Sequence, residues 1–592
     1  MTRDNRSTKL HSNPEEIKLV PSARDSEPTA ATARDAERIL AYHERTKHRL
    51  ERYAAGPETL DWSAQPESFR EFAGAPRIRL PHAANRLETS FATLHMPGAV
   101  TPRPLGIDSL GALLELSLGL SAWKEYGPDR WAVRCNPSSG NLHPTEAYLI
   151  CRQIPGAEDG VYHYLSRDHV LEQRARIEAP EPAAPAGLFI GLTSIMWREA
   201  WKYGERAFRY CQLDTGHALA ALRYAAAALG WTVQLVDHTG TGELADWLGL
   251  DRDADFGRAE REEAELLVAV TTGGEPARFD PWPAARTQWA GQANLLDAHP
   301  MYRWPVIDEV TQASAKPPTA PIAPPSREYF PPLGHNEEAR AADLIRQRRS
   351  AQRFHAKAVQ DTGSFYRLLD ALLPRPVAPW DVWNHEPRVH PILFVHRIDG
   401  LTPGLYALPR TAMARTQLQA AMRADFTWTK PPDCPAHLPL FRLAEAQCGK
   451  AATAPDLVAG RTSAANRASD SARGPRLHPI GKIARAIGCH QAIAADGTFA
   501  LAMLAEFDAP VRAEPWRYRQ LHWEAGLLGQ VLYLEAEAAG LRGTGIGCFF
   551  DDACHELLGL QGTAFQSLYH FTVGVPLVDE RIVSLPPYPE SN

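Results

Sequence analysis

The residues with the types and spacing to do chemistry fall in a few short runs. One is Arg348-Arg349-Ser350, with Arg353 close behind, in EEARAADLIRQRRSAQRF at 337–354. Guanidiniums clustered with a hydroxyl can clamp a phosphate through charge-assisted, bidentate hydrogen bonds. A solvated basic helix end would carry the same residues. A second run is CNPSSGNLHPTEAYLI at 135–150, where Pro137 and Gly140 shape a tight turn ahead of a strand from Thr145 to Ile150. Ser138, Ser139 and Asn141 supply short polar groups there, which suits close approach to a planar ligand. Two further candidates read as structural. His217 lies among Ala and Leu on a helix, and Cys489-His490-Gln491 sets a thiol beside an imidazole on side chains that point apart in a helix.

The elements that must position these residues show themselves by repetition. At a constant offset of 310 residues and without a gap, 187–230 lies over 497–540. Gly187, Phe189, Arg209, Gly216, Leu222, Ala226, Ala228 and Gly230 fall on Gly497, Phe499, Arg519, Gly526, Leu532, Ala536, Ala538 and Gly540. Each copy predicts an apolar strand, a loop, then a helix rich in small residues that ends in Gly. With small gaps, 143–165 parallels 390–409 as strand, turn and strand, and 266–274 parallels 569–576 as a closing strand. A duplicated α+β unit is the fold class this implies.

Size agrees, because 592 residues exceed one ordinary core. The 44% hydrophobic and 22% charged content is globular, and a net charge of -7 provides no basic field for nucleic acid. No apolar run approaches the ~20 residues that span a bilayer. The start, MTRDNRSTKLHSNPEE, has no apolar signal region, so a cytoplasmic protein is expected. Eight cysteines without CxxC or zinc-ligand spacing read as reduced thiols, with no metal expected. The chain divides into a disordered lead-in (1–33) and an N-terminal helical extension (34–74), whose helix is expected over Asp35–Tyr53 and stopped by Gly56. A first domain (75–285), a Pro-rich crossing linker (286–336) and a second domain (337–592) follow. Within the second, 449–476 reads as a mobile insertion that could serve as a lid.

In combination these motifs resemble the nitroreductase superfamily: RRSxxxF opening a unit, PSSxNxxP before a strand, the glycine-rich turn GTGIGCFF (543–550), and a basic residue, Arg581, in VGVPLVDERI (573–582). In that superfamily two subunits form a domain-swapped dimer with FMN at each interface. The resemblance thus implies two tandem nitroreductase-like domains that form an intramolecular pseudo-dimer. The motifs are shared unevenly. The first half lacks RRS, having APRIRLP (75–81), and has GWTVQLVDHTG (230–240) for the glycine turn; the second has NHEPRV (384–389) where PSSGN would stand. One composite site keeps every part, so one FMN per chain is expected. By resemblance Arg348, Arg349, Ser350 and Arg581 hold its phosphate, and Pro137, Ser138, Ser139 and Asn141 line the ribityl chain. Gly545, Ile546 and Gly547 reach the ring near N5. Gln352 stands where many relatives have a basic residue.

A narrower resemblance is to the SagB-type dehydrogenases, FMN enzymes that oxidise azoline rings in modified peptides. Its mark is WKYGERAFRYCQLDTGH (201–217), with Lys202, Tyr203, Arg206, Arg209, Tyr210, Asp214 and His217 in the family's places. Lys202 and Tyr203 are the implied catalytic pair, the ammonium lowering the Tyr pKa so that a base can take a proton as hydride leaves. Their duplicates are Arg512 and Ala513, so the pair exists once. The expected function is an FMN-dependent oxidoreductase acting on a small molecule or peptide. The alternatives are an NAD(P)H-dependent nitro or quinone reductase, with NAD(P)H as co-substrate, and a flavin-free scaffold in a biosynthetic complex.

Overall fold

The computed structural model describes residues 29–178, 186–274, 282, 286–321, 323–325, 328–334, 338–445 and 478–588. Most of the expected lead-in and the 449–476 insertion lie outside the described residues. Each half is built on one antiparallel sheet, and the two sheets share a strand order. In the first, Val170–Ile177, Gly160–Leu165, Thr145–Arg152, Gly187–Ser194, Glu263–Thr271 and Thr232–Leu235 are neighbours in that sequence. In the second they correspond to Phe441–Glu445, Gly404–Ala407, Val389–Val395, Phe499–Glu506, Phe565–Gly574 and Arg542–Ile546. The duplication in sequence is therefore a duplication of topology, an α+β unit used twice.

The central strands are buried on both faces, because alternate side chains enter different cores. In Thr145–Arg152, Leu149 faces the core shared by the two halves, while Tyr148 and Ile150 face a satellite core with Leu244, Leu248 and Phe256. In Val389–Val395, Leu393 and Val395 join the shared core and Ile392 and Phe394 a second satellite.

The shared core is organised by two 22-residue helices, Ala207–Ala228 and Arg517–Ala538, which cross in contact. Gly216 and Gly526, duplicates of one another, meet at the crossing. A Cβ on Gly216 would lie 2.1 Å from the Trp523 carbonyl oxygen, and one on Gly526 2.1 Å from that of Leu213. The small residues of these helices are what lets their backbones touch. Gly526→Ala is expected to cost about 1–3 kcal/mol through overpacking, seen as a lower denaturation midpoint. Gly242→Ala, in the first turn of helix Thr241–Leu248 with no heavy atom within 4 Å of its added Cβ, is the control and should keep or raise its midpoint. Equal midpoints for the two variants would remove the close crossing from this account.

Segments near both ends of the described residues reach across. Strand Val583–Leu585 pairs with Leu120–Tyr126 of the first half. The N-terminal helix lays His43 on Phe507 and brings its ring to the Tyr518 hydroxyl at 3.2 Å. Arg206 and Arg209, both buried, share the Asp551 carboxylate at 3.1 and 2.9 Å.

Three expectations about local structure are corrected. The N-terminal helix spans Ala30–Arg45, starting earlier and ending sooner than Asp35–Tyr53. Thr29 caps its start, and tertiary contacts peel the chain away at its end, where Lys47 meets Asp552 and the His48 N–H meets Asp551. The connection between strand and long helix is not a plain loop: it holds the helices Met196–Tyr203 and Asp508–Ala513. The span 286–336 is not all extended linker. Thr287–Trp289 adds an edge strand to the first sheet, and Pro305–Ala313 is a helix that buries Ile307 and Val310. Among the described residues, no helix is long and apolar enough to cross a membrane.

Candidate active site

A cavity of about 490 Å³ opens between the halves, within the range of cofactor and small-ligand sites. The first half contributes the turn at 136–141 and residues of Met196–Tyr203 and Ala207–Ala228; the second contributes Arg348 to Gln352 and the glycine turn.

One end is cationic. Arg348 and Arg349 follow the short helix Ala341–Gln347, and Lys124 and Arg542 join them from strands of opposite halves. Arg348 is 3% exposed; it donates to the Arg134 carbonyl at 2.9 Å, while its Nε has no partner in the protein. Burial and the adjacent guanidinium bring Arg349 down to about 10, and burial, with Arg349 and Arg542 nearby, lowers the Lys124 ammonium. Neither Arg348 nor Arg349 has a carboxylate ion-pair partner among the described residues. Buried like charges of this kind are costly without a counter-charge. The end is thus built for an anion. Ser350 is here too, its hydroxyl 2.8 Å from that of Tyr533.

The neighbouring wall is the PSSGN turn. Gly140, Asn141 and His143 all have positive φ, of 58°, 59° and 53°, which tightens the turn so that short polar groups meet the cavity. The Asn141 amide donates to the Ala132 carbonyl at 2.9 Å. Ser139 donates to Asp214 through its N–H at 3.1 Å and its hydroxyl at 2.9 Å. Gly140 is where the far side closes in. A Cβ there would lie 2.5 Å from the Tyr203 hydroxyl and 3.2 Å from Lys202 Nζ, so both groups sit over this glycine.

The glycine turn forms the opposite wall. Gly545 donates its N–H to the Tyr533 hydroxyl at 3.1 Å, and the Gly547 carbonyl accepts from the Tyr210 hydroxyl at 3.2 Å. Ile546 is anchored in the satellite core of the second half.

Most of the residues singled out in the sequence therefore meet in one place. Arg581 does not: its side chain is 71% exposed, paired with Asp579 and stacked over Tyr126. Lys124 and Arg542 supply the extra charge instead. The Tyr203 phenol also departs from expectation. Burial holds it well above its ordinary value, with Glu199 acting in the same direction, so it stays protonated. Lys202 is the group that moves the useful way, lowered by burial towards the neutral amine. His217 lines the cavity as well, 3.1 Å from the Tyr569 hydroxyl and kept neutral by burial.

Asp214 has a property that sequence alone did not give it. Burial pushes its carboxyl up to about 7, against hydrogen bonds from Ser138 and Ser139. Folding therefore favours the protonated form. The associated stability is complete below about pH 4, the unfolded value, and is lost as pH rises through 7. Asp214→Asn is expected to remove up to about 4 kcal/mol of this pH dependence, measured as the difference between wild-type and variant denaturant midpoints from pH 4 to 7.5. Parallel profiles would contradict a raised Asp214.

The duplicated position in the other half is nearly closed, at about 40 Å³. Gln520 and Trp523 stand where the first long helix has Tyr210 and Leu213, and His385 of NHEPRV and Lys316 complete the lining. The Gln520 amide nitrogen meets His385 Nε2 at 2.9 Å, and Trp523 fills the space with an indole bonded to Gln212. Away from both, His82, Glu115 and His169 bring ligand atoms within 4.8 Å of one another. That grouping comes from three distant segments, so no spacing in the sequence reveals it.

Two duplicated α+β units enclose one cation-ended cavity between them. The Nitroreductase family model matches residues 130–273 and 445–575, so the chain carries two nitroreductase-family regions in tandem. Its fold is also that of a "putative nitroreductase" from Anabaena variabilis, with a TM-score of 0.61 and 20% identity, covering 91% of this chain and 99% of that one. A protein of Methanocaldococcus jannaschii described by the same words is 28% identical over 137 residues, 22% of this chain. The trifolitoxin-processing protein TfxB of Rhizobium leguminosarum bv. trifolii is 26% identical over 196 residues, 29% of this chain. The chain spans 66% and 52% of the lengths of these two relatives.

Proposed function

We propose that the chain is an FMN-dependent oxidoreductase with one flavin in the interfacial cavity, of the SagB type and acting on a modified peptide. The observation that carries the flavin reading is the buried Arg348 beside the half-buried Arg349, both lining the cavity with no carboxylate in ion-pair contact among the described residues. A phosphate monoester dianion supplies the counter-charge and accepts the free Arg348 Nε–H. The near-closure of the duplicated cavity supports one flavin per chain. The likeness to a protein named for trifolitoxin processing supports a peptide substrate.

When bound, FMN supplies a two-electron hydride acceptor. The residues of the chain supply the rest. Arg348, Arg349, Ser350, Lys124 and Arg542 would hold the phosphate, and the turn at 137–141 and the backbone at 545–547 would line the rest of the cofactor. Lys202, whose ammonium is lowered by burial, would take the proton released at the substrate carbon. Tyr203, held as the phenol, donates a hydrogen bond beside it.

The visible spectrum of the purified protein tests this directly. The expected result is a yellow protein with one FMN per chain. A colourless protein that takes up no added FMN overturns the reading, and two flavins per chain overturn the single site.

A further inference from the structure

His82, Glu115 and His169, which the cavity does not use, bring their ligand atoms within 4.8 Å of one another. His82 lies in the loop ahead of the helical turn Ala84–Arg86, and Glu115 on helix Ile107–Ser117. His169 sits in the turn between strands Gly160–Leu165 and Val170–Ile177. Glu115 and His169 are 4% and 1% exposed, and His82 is half-buried. Tyr588, the last described residue, covers both imidazoles, its ring centroid 4.5 Å from that of His82 and 5.3 Å from that of His169.

The hydrogen bonds around this group leave ligand positions open. His169 Nδ1 meets the Tyr164 hydroxyl at 2.8 Å, whereas its Nε2 is buried without a hydrogen-bond partner. With the Nδ1 proton donated to Tyr164, the lone pair is on Nε2. His82 Nδ1 is likewise buried and unpartnered. Glu115 Oε2 accepts the Ala84 N–H at 3.1 Å. Its Oε1 accepts from the Arg346 guanidinium at 3.4 Å, a group shared with Asp343 at 3.0 Å. Each carboxylate oxygen keeps a further lone pair. Buried nitrogens without partners leave their desolvation cost uncompensated, and an ion that accepts both lone pairs removes it.

We propose that His82, Glu115 and His169 bind one divalent transition-metal ion of the zinc class, with a nitrogen from each imidazole, one carboxylate oxygen and a water as ligands. Two imidazoles and a carboxylate suit zinc and its neighbours, whereas calcium and magnesium take oxygen ligands. The two imidazole centroids lie 4.7 Å apart with 17° between the ring planes, so binding requires one ring to turn until the lone pairs converge. His82 is the ring that turns, being half-buried in a loop, while Tyr164 holds His169 in place. The bound ion ties a loop, a helix and a strand turn of the first half together beneath Tyr588.

The test uses the full chain without an affinity tag, stripped by a chelator and titrated with Zn²⁺ in a calorimeter. Wild type is expected to take up one tight equivalent and to melt at a higher temperature with Zn²⁺ than with Mg²⁺. His82→Ala removes a half-buried ring, and Glu115→Gln keeps an acceptor for the Ala84 N–H. Both should retain native circular dichroism and bind that equivalent more than ~100-fold more weakly, since losing an outer hydrogen-bond partner alone costs ~10- to 100-fold. Wild type without a tight equivalent, or a native-like variant that keeps it, overturns the proposal. The flavin reading is measured separately, so the two stand or fall independently.

Discussion

Arg348→Met is expected to fold normally and to lose FMN. Removing a buried guanidinium from a phosphate site costs about 2–4 kcal/mol of binding, roughly 30- to 1,000-fold in affinity. Titration with FMN followed by flavin fluorescence reads this loss. Riboflavin, which lacks the phosphate, supplies the control: wild type should prefer FMN strongly, and the variant should lose that preference. The stability of the apoprotein should hold or rise, because the buried Arg348 and the half-buried Arg349 crowd positive charge at one end of the cavity. An unchanged ratio of FMN to riboflavin affinity would place the phosphate elsewhere.

Lys202→Ala is expected to keep its flavin and lose about 10²- to 10⁴-fold in the rate of flavin reduction, with an azoline-containing peptide as the probe and flavin absorbance as the readout. Lys202→Arg should be equally slow, since a guanidinium does not give up its proton in this range. Tyr203→Phe should be impaired less, because a half-buried phenol held above its ordinary range donates a hydrogen bond and takes no proton. Wild-type rates should rise with pH as Lys202 deprotonates, with a midpoint below the ordinary Lys value, because burial favours the neutral amine. Full activity in Lys202→Arg would remove Lys202 as the base.

The fold was legible because duplication repeats its own signal. An ungapped register from Gly187 to Gly230 over Gly497 to Gly540 fixes strand and helix together, and the matching strand orders follow. The parts of the site carried by contiguous motifs, Arg348 to Ser350 and Pro137 to Asn141, were legible for the same local reason. What escaped is what tertiary structure assembles. Lys124 and Arg542 lie on strands of opposite halves, and nothing in their neighbourhoods marks them as partners of Arg348. Arg581 is near in sequence to the right place, yet Asp579 satisfies it in solvent. The acidity of Tyr203 was misjudged because a neighbouring ammonium is visible in sequence and desolvation is not. Here desolvation wins. The Cys489-His490 pair was read on a helix, whereas the helix ends at Ile487 and both residues take positive φ in the turn beyond it.

The meeting of Gly216 and Gly526 has a consequence for how this molecule can change. In a homodimer one gene writes both walls of every interface, so any substitution is made twice and each pocket must tolerate it. Here the two walls are written separately within one chain. Gln520 and Trp523 therefore line the nearly closed pocket, while Tyr210, the counterpart of Gln520, lines the open one. The surviving site also keeps its two sides at any dilution, since no second molecule has to be found. The two equivalent positions thus differ within one chain: one stays open as a cavity, and the other is packed with side chains.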